Sequence, residues 1–323
     1  MFNGRTGKTK IDYRMKQVLQ FLILFGPLSS YGWQSNQDNT VLSREFPVAS
    51  IEVLDLETKG LSLNLSTWEE EKIRVEVLAS RDNKPLSWED NQLKKKLEAY
   101  SFDLSEQGSR LLLRVAYEKR SRLTSGNDNI VLLIKIQCPK SMDSYFQTSG
   151  GSITLGGLKG KQQLNSEGGS IRILEAEGKI SANSMGGSFF VDTFEGELEL
   201  NSSGGSVRID HFSGSLQANS SGGSMSLFDT SGKIMAESEG GSIRANFIAP
   251  LQEITLRSKK GSIDMVLPKN LGMDVSFSAS IVVSNHLNFE GETKKTLVKG
   301  IINGGGIPVT ATTSGANVRV DYY

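Results

Sequence analysis

The sequence predicts an all-β protein built as a parallel β-helix, or solenoid, of 18-residue coils with two strands each. Three observations predict this fold. A Gly-Gly-Ser motif recurs every 18 residues, apolar and polar residues alternate on both sides of it, and Gly supplies 34 of the 323 residues. Fixed internal periods are typical of solenoids, in which each repeat buries its apolar side against its neighbours.

The repeat motif marks one turn of each coil. We number each coil from the first glycine of its motif. A single Gly at position 11 of the first five coils indicates the second turn, because Gly permits positive φ and close backbone approach. These first glycines, predicted as structural turn residues, are Gly150, Gly168, Gly186, Gly204, Gly222 and Gly240.

Positions 4, 6, 9, 13 and 15 of the coils are mostly apolar. The period-two spacing predicts two short strands whose alternate residues face a shared core. A left-handed hexapeptide helix also has 18-residue coils, but it needs apolar residues every six positions, which this sequence lacks. The spacing therefore favours the two-strand coil and leaves its handedness open.

Polar columns accompany the apolar ones. Position 17 is Ser in the first five coils, and position 16 is Asn in the first four. The serine hydroxyls are interpreted as partners for backbone groups at the turn, with a ligand-binding hydroxyl array as the alternative. The asparagines are interpreted as an amide ladder along the solenoid axis.

The N-terminus has the layout of a secretory signal peptide. Basic residues precede the apolar run Val18–Phe25, and small residues at Ser30 and Gly32 suit cleavage before Trp33. Met15 is an alternative start. The run is too short for a membrane-spanning helix, so no integral span is expected after cleavage.

The rest of the chain divides into three predicted regions. Residues 33–148 form a β-rich N-terminal cap region, with candidate strands near 51–53, 61–65, 73–77, 111–115 and 131–136. This region also carries one short helix, predicted from an N-cap at Ser87 to Leu97. Residues 149–265 form the repeat solenoid, in which the segment from Lys260 is a degenerate seventh coil. Residues 266–323 form a C-terminal β cap that continues it.

Four segments together resemble a known family. They are Ile134–Pro139, the reiterated Thr148–Ile153, Asn303–Gly306 and Thr312–Val318. This combination is similar to the bacterial "putative adhesin" β-strand-repeat family, a domain of unknown function, over about residues 45–323. The resemblance implies a secreted or envelope-associated β-solenoid. It supplies no catalytic residues.

Composition narrows the chemistry. The 36 basic and 36 acidic residues balance, which gives no support to nucleic-acid binding. One Cys and two His make a Cys- or His-based metal site improbable, and no cofactor or metal is predicted.

Position 5 supplies the candidate ligand-binding residues. Arg172, Arg208 and Arg244 recur there on every second coil, about 10 Å apart at the ordinary strand spacing. Phe190 and Phe228 are expected to be exposed by their parity. Together these five residues suggest a ribbed surface for an envelope glycan or a surface protein.

The sequence thus favours an exported, non-enzymatic β-solenoid that acts as an adhesin or in another cell-surface interaction, located in the periplasm, on the surface or secreted. A polysaccharide lyase or hydrolase is one alternative, with Asp192, Asp210 and Asp229 as the nearest carboxylates on successive coils. An envelope-stress scaffold that binds a protein is the other. Oligomeric state stays open.

Overall fold

The structure is a computed structural model that describes residues 40–118, 129–284 and 288–323. The predicted signal peptide lies outside these residues. The predicted all-β solenoid is confirmed, because strands of successive coils run parallel and pair in register at steps of 18 residues. Ile171, for example, pairs with Phe189, which pairs with Val207.

The N-terminal region begins the ladder rather than standing apart from it. β2 and β3 form one coil and β7 and β8 form the next, since β2 runs parallel to β7 and β3 runs parallel to β8. Antiparallel strands cover the end, with β4 on β8, β1 on β4 and β6 on β7. The elements are β1 (Thr40–Pro47), β2 (Val53–Thr58), β3 (Ser62–Thr67), β4 (Lys72–Arg81), β5 (Lys84–Pro85), α1 (Asn91–Leu97), β6 (Tyr100–Gln107), β7 (Arg110–Tyr117) and β8 (Ile130–Cys138).

Helix α1 begins later than the sequence predicted. Its N-cap is Asp90, whose carboxylate accepts hydrogen bonds from the backbone N–H groups of Gln92 (2.8 Å) and Leu93 (2.9 Å). The predicted cap at Ser87 is therefore wrong. A carboxylate at Asp90 can satisfy two N–H groups of the first turn, which would otherwise lack partners.

The central coils form the regular part of the solenoid. β12 to β15 each run 14 residues, through positions 4 to 17, and the degenerate seventh coil predicted from Lys260 is confirmed by the pairing of β17 with β16. The strands are β9 (Asp143–Thr148), β10 (Ile153–Gly156), β11 (Lys159–Ser166), β12 (Ile171–Ser184), β13 (Phe189–Ser202), β14 (Val207–Ser220), β15 (Met225–Ser238), β16 (Ile243–Ser258) and β17 (Ile263–Leu267).

The C-terminal strands complete the other end of the solenoid, where the last two strands lie between strands that precede them in the sequence. β22 lies between β16 and β18, and β23 lies between β17 and β19, so the last coil in sequence is not the last in space. The hairpin of β20 and β21 pairs antiparallel with β18. These strands are β18 (Met273–Ser278), β19 (Ile281–Ser284), β20 (Phe289–Lys294), β21 (Leu297–Ile302), β22 (Ile307–Thr313) and β23 (Asn317–Tyr322).

Each coil has two outward surfaces. We call the outward residues at positions 3, 5 and 7 the A face, and those at positions 10, 12, 14 and 16 the B face. The inward columns are buried as predicted, and the position-9 rings of Phe194 and Phe212 stack with centroids 5.9 Å apart. One continuous apolar core therefore fixes which side chains point outward.

The Gly-Gly-Ser turn depends on its second glycine. A Cβ there would overlap the carbonyl oxygen of the equivalent residue in the preceding coil, as Gly205 would with Gly187. The first glycines, which the sequence singled out, have more room: a Cβ on Gly204 would lie 3.6 Å from its nearest neighbour, the Met185 oxygen. Close backbone approach is thus concentrated one residue later than expected.

The polar columns satisfy and join the turns, as their structural interpretation predicted. The Ser184 hydroxyl donates to the Gly187 carbonyl (3.1 Å) and accepts from the Gly187 N–H (3.0 Å). The asparagines form an amide ladder along the axis, since Asn183 donates to Asn165 at 2.9 Å and Asn201 donates to Asn183 at 3.0 Å. These hydroxyls and amides are occupied within the protein.

The second bend begins before the single glycine. Position 8 is left-handed in five successive coils, and only the first of these residues is Gly: φ is 80° at Gly157, 50° at Glu175, 59° at Thr193, 53° at His211 and 50° at Asp229. The single glycines three residues later also have positive φ, including 136° at Gly214. The corner is therefore spread over positions 8 to 11, and the chain stays in the ladder throughout it.

Replacing the second glycine should be much more harmful than replacing the first. We expect Gly205→Ala to lower the free energy of unfolding by about 1–3 kcal/mol or more, because its Cβ meets rigid backbone. Gly204→Ala is the matched control and should change it by less than about 0.5 kcal/mol. Urea unfolding measures both, and equal losses would contradict the assigned close approach.

Candidate binding surface on the A face

The five predicted ligand-binding residues all lie on the A face. Consecutive rungs of one column carry Arg172, Phe190, Arg208, Ser226 and Arg244. The three arginines point outward and are exposed. Phe228 belongs to the neighbouring column, where it pairs with Asp210.

The two phenylalanines are half-buried rather than exposed, which corrects the prediction from parity. The guanidinium of Arg172 lies 5.5 Å from the ring centroid of Phe190, and that of Arg208 lies 5.3 Å from the ring centroid of Phe228. Both distances suit cation–π contact. Each arginine thus covers part of a ring that would otherwise face solvent.

The three arginines differ in charge balance. Arg208 donates from Nε to Asp210 Oδ2 at 2.8 Å, so its charge is matched. The other oxygen, Asp210 Oδ1, is buried and has no hydrogen-bond partner in the described structure. Arg172 and Arg244 make no ion pair with any residue that the structure describes. They lie four rungs apart, about 19 Å at the ordinary strand spacing.

The B face neutralises its charges by pairing neighbouring coils. Lysine and glutamate side chains meet across rungs at Lys159–Glu177 (3.2 Å), Lys179–Glu197 (2.8 Å) and Lys233–Glu253 (2.9 Å). These ion pairs are exposed, so each contributes little to stability. Most B-face lysines are thus matched, with Lys161 as an exception, whereas Arg172 and Arg244 on the A face have no ion-pair partner among the described residues.

Asp192 and Asp210, two of the carboxylates proposed for catalysis, lie on adjacent rungs, and each contacts a neighbouring basic side chain. Asp192 Oδ1 lies 2.9 Å from His211 Nδ1, and Asp229 Oδ2 lies 3.8 Å from His211 Nε2. Asp210 is held by Arg208 instead. The Asp192 carboxylate raises the pKa of His211 above its ordinary value of 6.5, and the charges of Asp229 and Asp210 add to this.

Two surface hollows accompany these clusters. A cleft of about 590 Å³ at the corner is lined by Glu175, Glu177, Glu195 and His211 among others. Glu177 there is already paired with Lys140 at 2.9 Å. A smaller hollow of about 250 Å³ lies on the A face beside Arg244.

The remaining chemistry-bearing groups are structural. In the described ranges, no three His, Cys, Asp or Glu side chains are grouped to hold a metal ion. Burial raises the pKa of the Cys138 thiol to about 12, so it is packed as an apolar residue. No helix in the described part of the chain is long and apolar enough to span a membrane.

The family model described as Toastrack DUF4097 matches residues 51–321, which is most of the chain. The chain belongs to the Toastrack DUF4097 family. The β-strand-repeat resemblance inferred from the sequence is thereby confirmed. Among curated proteins, none matches the chain significantly.

Solved structures similar to this Toastrack DUF4097 chain share little sequence with it. A putative adhesin from Bacteroides fragilis NCTC 9343 is 13% identical over 86% of this chain and 96% of its own, with a TM-score of 0.41. A putative cell adhesion protein from Clostridium sporogenes ATCC 15579 is 12% identical over 87% and 98%, with a TM-score of 0.25. A putative adhesin from Parabacteroides distasonis ATCC 8503 is 12% identical over 88% and 98%, with a TM-score of 0.29.

The contact between Asp192 and His211 should be measurable by titration. We expect Asp192→Asn to lower the pKa of His211 towards 6.5, as followed by NMR of the ring protons. Asp264→Asn, on the A face, is the control and should leave it unchanged. Because the folded-state pKa is raised, the stabilisation by His211 is fully present below pH 6.5 and lost as pH rises through the raised pKa. A pKa unaltered by Asp192→Asn would contradict the contact.

Proposed function

We propose that this Toastrack DUF4097 protein is an exported, adhesin-type interaction protein that holds an extended anionic glycan along its A face. The observation that carries the proposal is the column of Arg172, Phe190, Arg208, Ser226 and Arg244 on consecutive rungs. Hydrogen-bonded strands hold these side chains at regular intervals, so a long ligand meets a prepared surface without ordering a loop.

The chemistry of the column favours a polyanion that also has apolar faces. Guanidinium groups match carboxylate and sulfate oxygens in a two-pronged geometry, and Arg172 and Arg244 are free to use it. Phe190 and Phe228 are half-buried, and the part of each ring that its arginine leaves uncovered offers apolar contact to sugar rings. Because the two unmatched cations lie about 19 Å apart, the ligand has to be a polymer rather than a small molecule.

The contacts of the A-face carboxylates favour a role in binding over one in catalysis. Cleavage of a glycosidic bond generally needs two carboxyl groups on either side of that bond. Here Asp192 is engaged by His211 and Asp210 by Arg208, in separate contacts. Each carboxylate therefore has a local role in orienting a neighbouring cation.

The proposed location follows from the sequence. The layout of residues 1–32 is that of a secretory signal, which would take the solenoid out of the cytoplasm. A cell envelope or its surroundings would offer the anionic polysaccharides that the A face suits.

Removing the two unmatched cations should abolish glycan binding. The purified protein is tested for retention on immobilised polygalacturonate, together with product analysis of the same samples. We expect Arg172→Gln with Arg244→Gln to weaken binding about a hundredfold, since hydrogen bonds to charged groups contribute about 1.5–3 kcal/mol each. Arg208 is left in place because its loss would strand the buried Asp210 carboxylate.

The matched control removes the same charge from the B face. Lys161→Gln with Lys179→Gln should bind as the wild type does. If both double variants lost the same binding affinity, the effect would come from net charge alone, which would contradict an A-face site. Release of shortened products would contradict a purely binding role. Binding of an envelope protein, without binding of polysaccharide, would contradict the proposal that the ligand is a glycan.

A further inference from the structure

The hollow beside Arg244 differs from the rest of its column. Arg172 lies over Phe190 and Arg208 lies over Phe228, whereas Arg244 has no aromatic contact in the described structure. The rung before Arg208 is Phe190, but the rung before Arg244 is Ser226. A small side chain at that rung leaves a hollow of about 250 Å³.

The lining of this hollow is almost entirely polar. Hydroxyl groups come from three successive coils, and one carboxylate lies on the rung after Arg244. The guanidinium has five N–H donors, and no described residue forms an ion pair with it. The lining residues are Ser224, Met225, Ser226, Ser242, Arg244, Ser262 and Asp264.

We infer that this hollow is a subsite for one uronic acid unit of the glycan, with the sugar carboxylate bound to the Arg244 guanidinium. This inference rests on the proposed function, which it makes specific. A carboxylate accepts two parallel hydrogen bonds from a guanidinium. The serine hydroxyls and Asp264 then face the sugar hydroxyls, which both donate and accept.

Size and charge favour this ligand over other anions. The hollow is smaller than the roughly 300–1,000 Å³ of sites that enclose a whole small molecule, so it takes one unit of a longer chain. Asp264 places a negative charge beside Arg244, which penalises a doubly charged phosphate monoester more than a singly charged carboxylate. A sulfate ester also has a single charge, but it is bulkier than a carboxylate attached directly to the sugar ring. The small volume of the hollow therefore favours carboxylated over sulfated polysaccharides.

A variant that fills the hollow can repeat an arrangement of side chains already present in the same column. Ser226→Phe recreates at coil 5 the Arg–Phe–Arg arrangement that Arg172, Phe190 and Arg208 already form, so the ladder tolerates it. Gln217→Phe adds the same ring at an exposed strand position of the B face, away from the hollow and from the arginine column, and is the matched control. Thermal unfolding verifies that both variants are folded.

The probe is a galacturonate hexamer, titrated calorimetrically against each protein. Ser226→Phe and Arg244→Gln should each weaken binding tenfold or more, and Gln217→Phe less than twofold. The methyl-esterified hexamer, which lacks the charge, should bind at least tenfold more weakly to wild type, and dextran sulfate should bind no more tightly than the hexamer per charged group.

The outcomes separate the two proposals. If Ser226→Phe and Arg244→Gln both bind the hexamer as tightly as the wild type does, the subsite is overturned and the A face remains the proposed glycan surface. Preference for dextran sulfate would overturn the carboxylate assignment alone. Absence of binding to either polyanion would overturn the subsite and the proposed function together.

Discussion

The architecture depends on the close approach of backbones at the Gly-Gly-Ser turn. The second glycine of each motif lies against the carbonyl of its counterpart one coil earlier, where a Cβ would overlap it. Only this approach lets successive turns stack at the same spacing as the strands. The buried serine at position 17 then bonds the turn that follows it, so that a tight turn is also fully hydrogen-bonded.

Equal spacing at the turn places equivalent positions of all coils in straight columns. The inward columns become one continuous core, and the outward columns become ladders of chemically related side chains. The A-face column from Arg172 to Arg244 is a direct consequence, since a residue inserted within a strand would break the alignment of the column. The two extra residues of the sixth coil come after Arg244 and are absorbed at its corner, where the pairing with the fifth coil is irregular, so that Ile254 is again in register with Ile234.

Parallel ladders end in open edges, which invite pairing with other chains. At the N-terminal end, antiparallel strands β1, β4 and β6 lie on the last coil. At the other end the chain doubles back, and β22 and β23 insert beneath β18 and β19. The final coil is thereby held on both sides, which ties the C-terminus into the ladder.

Local sequence patterns predict the coils but not all of their structural details. The period of Gly-Gly-Ser and the alternation around it predict the strands, the core columns and the column of arginines. The left-handed conformation at position 8 could be predicted only in part, because Gly157, His211 and Asp229 are residue types that favour it and Glu175 and Thr193 are not. At those two residues the bend is imposed by the ladder. The insertion of β22 and β23 also has no local signal, since it depends on pairing between distant segments.

The position of the proposed A-face surface could be predicted from the sequence, but its charge balance could not. Parity placed Phe190 and Phe228 outward correctly, yet it could not reveal that Arg172 and Arg208 fold over the two rings. The pairing of Arg208 with Asp210 follows from their separation by two residues on one strand face, which was available as a signal. The hollow beside Arg244 follows from the smaller side chain of Ser226, visible only once the columns are aligned.

Binding of the glycan along the A face can be tested by NMR of the arginine Nε–H and phenylalanine ring signals during titration with galacturonate hexamer. We expect shifts for Arg172, Arg208, Arg244, Phe190 and Phe228. Arg257 is an internal control because it lies on the B face and is paired with Glu237 at 2.8 Å; its signal should stay in place. A shift of the Arg257 signal with unchanged A-face signals would contradict glycan binding on the A face.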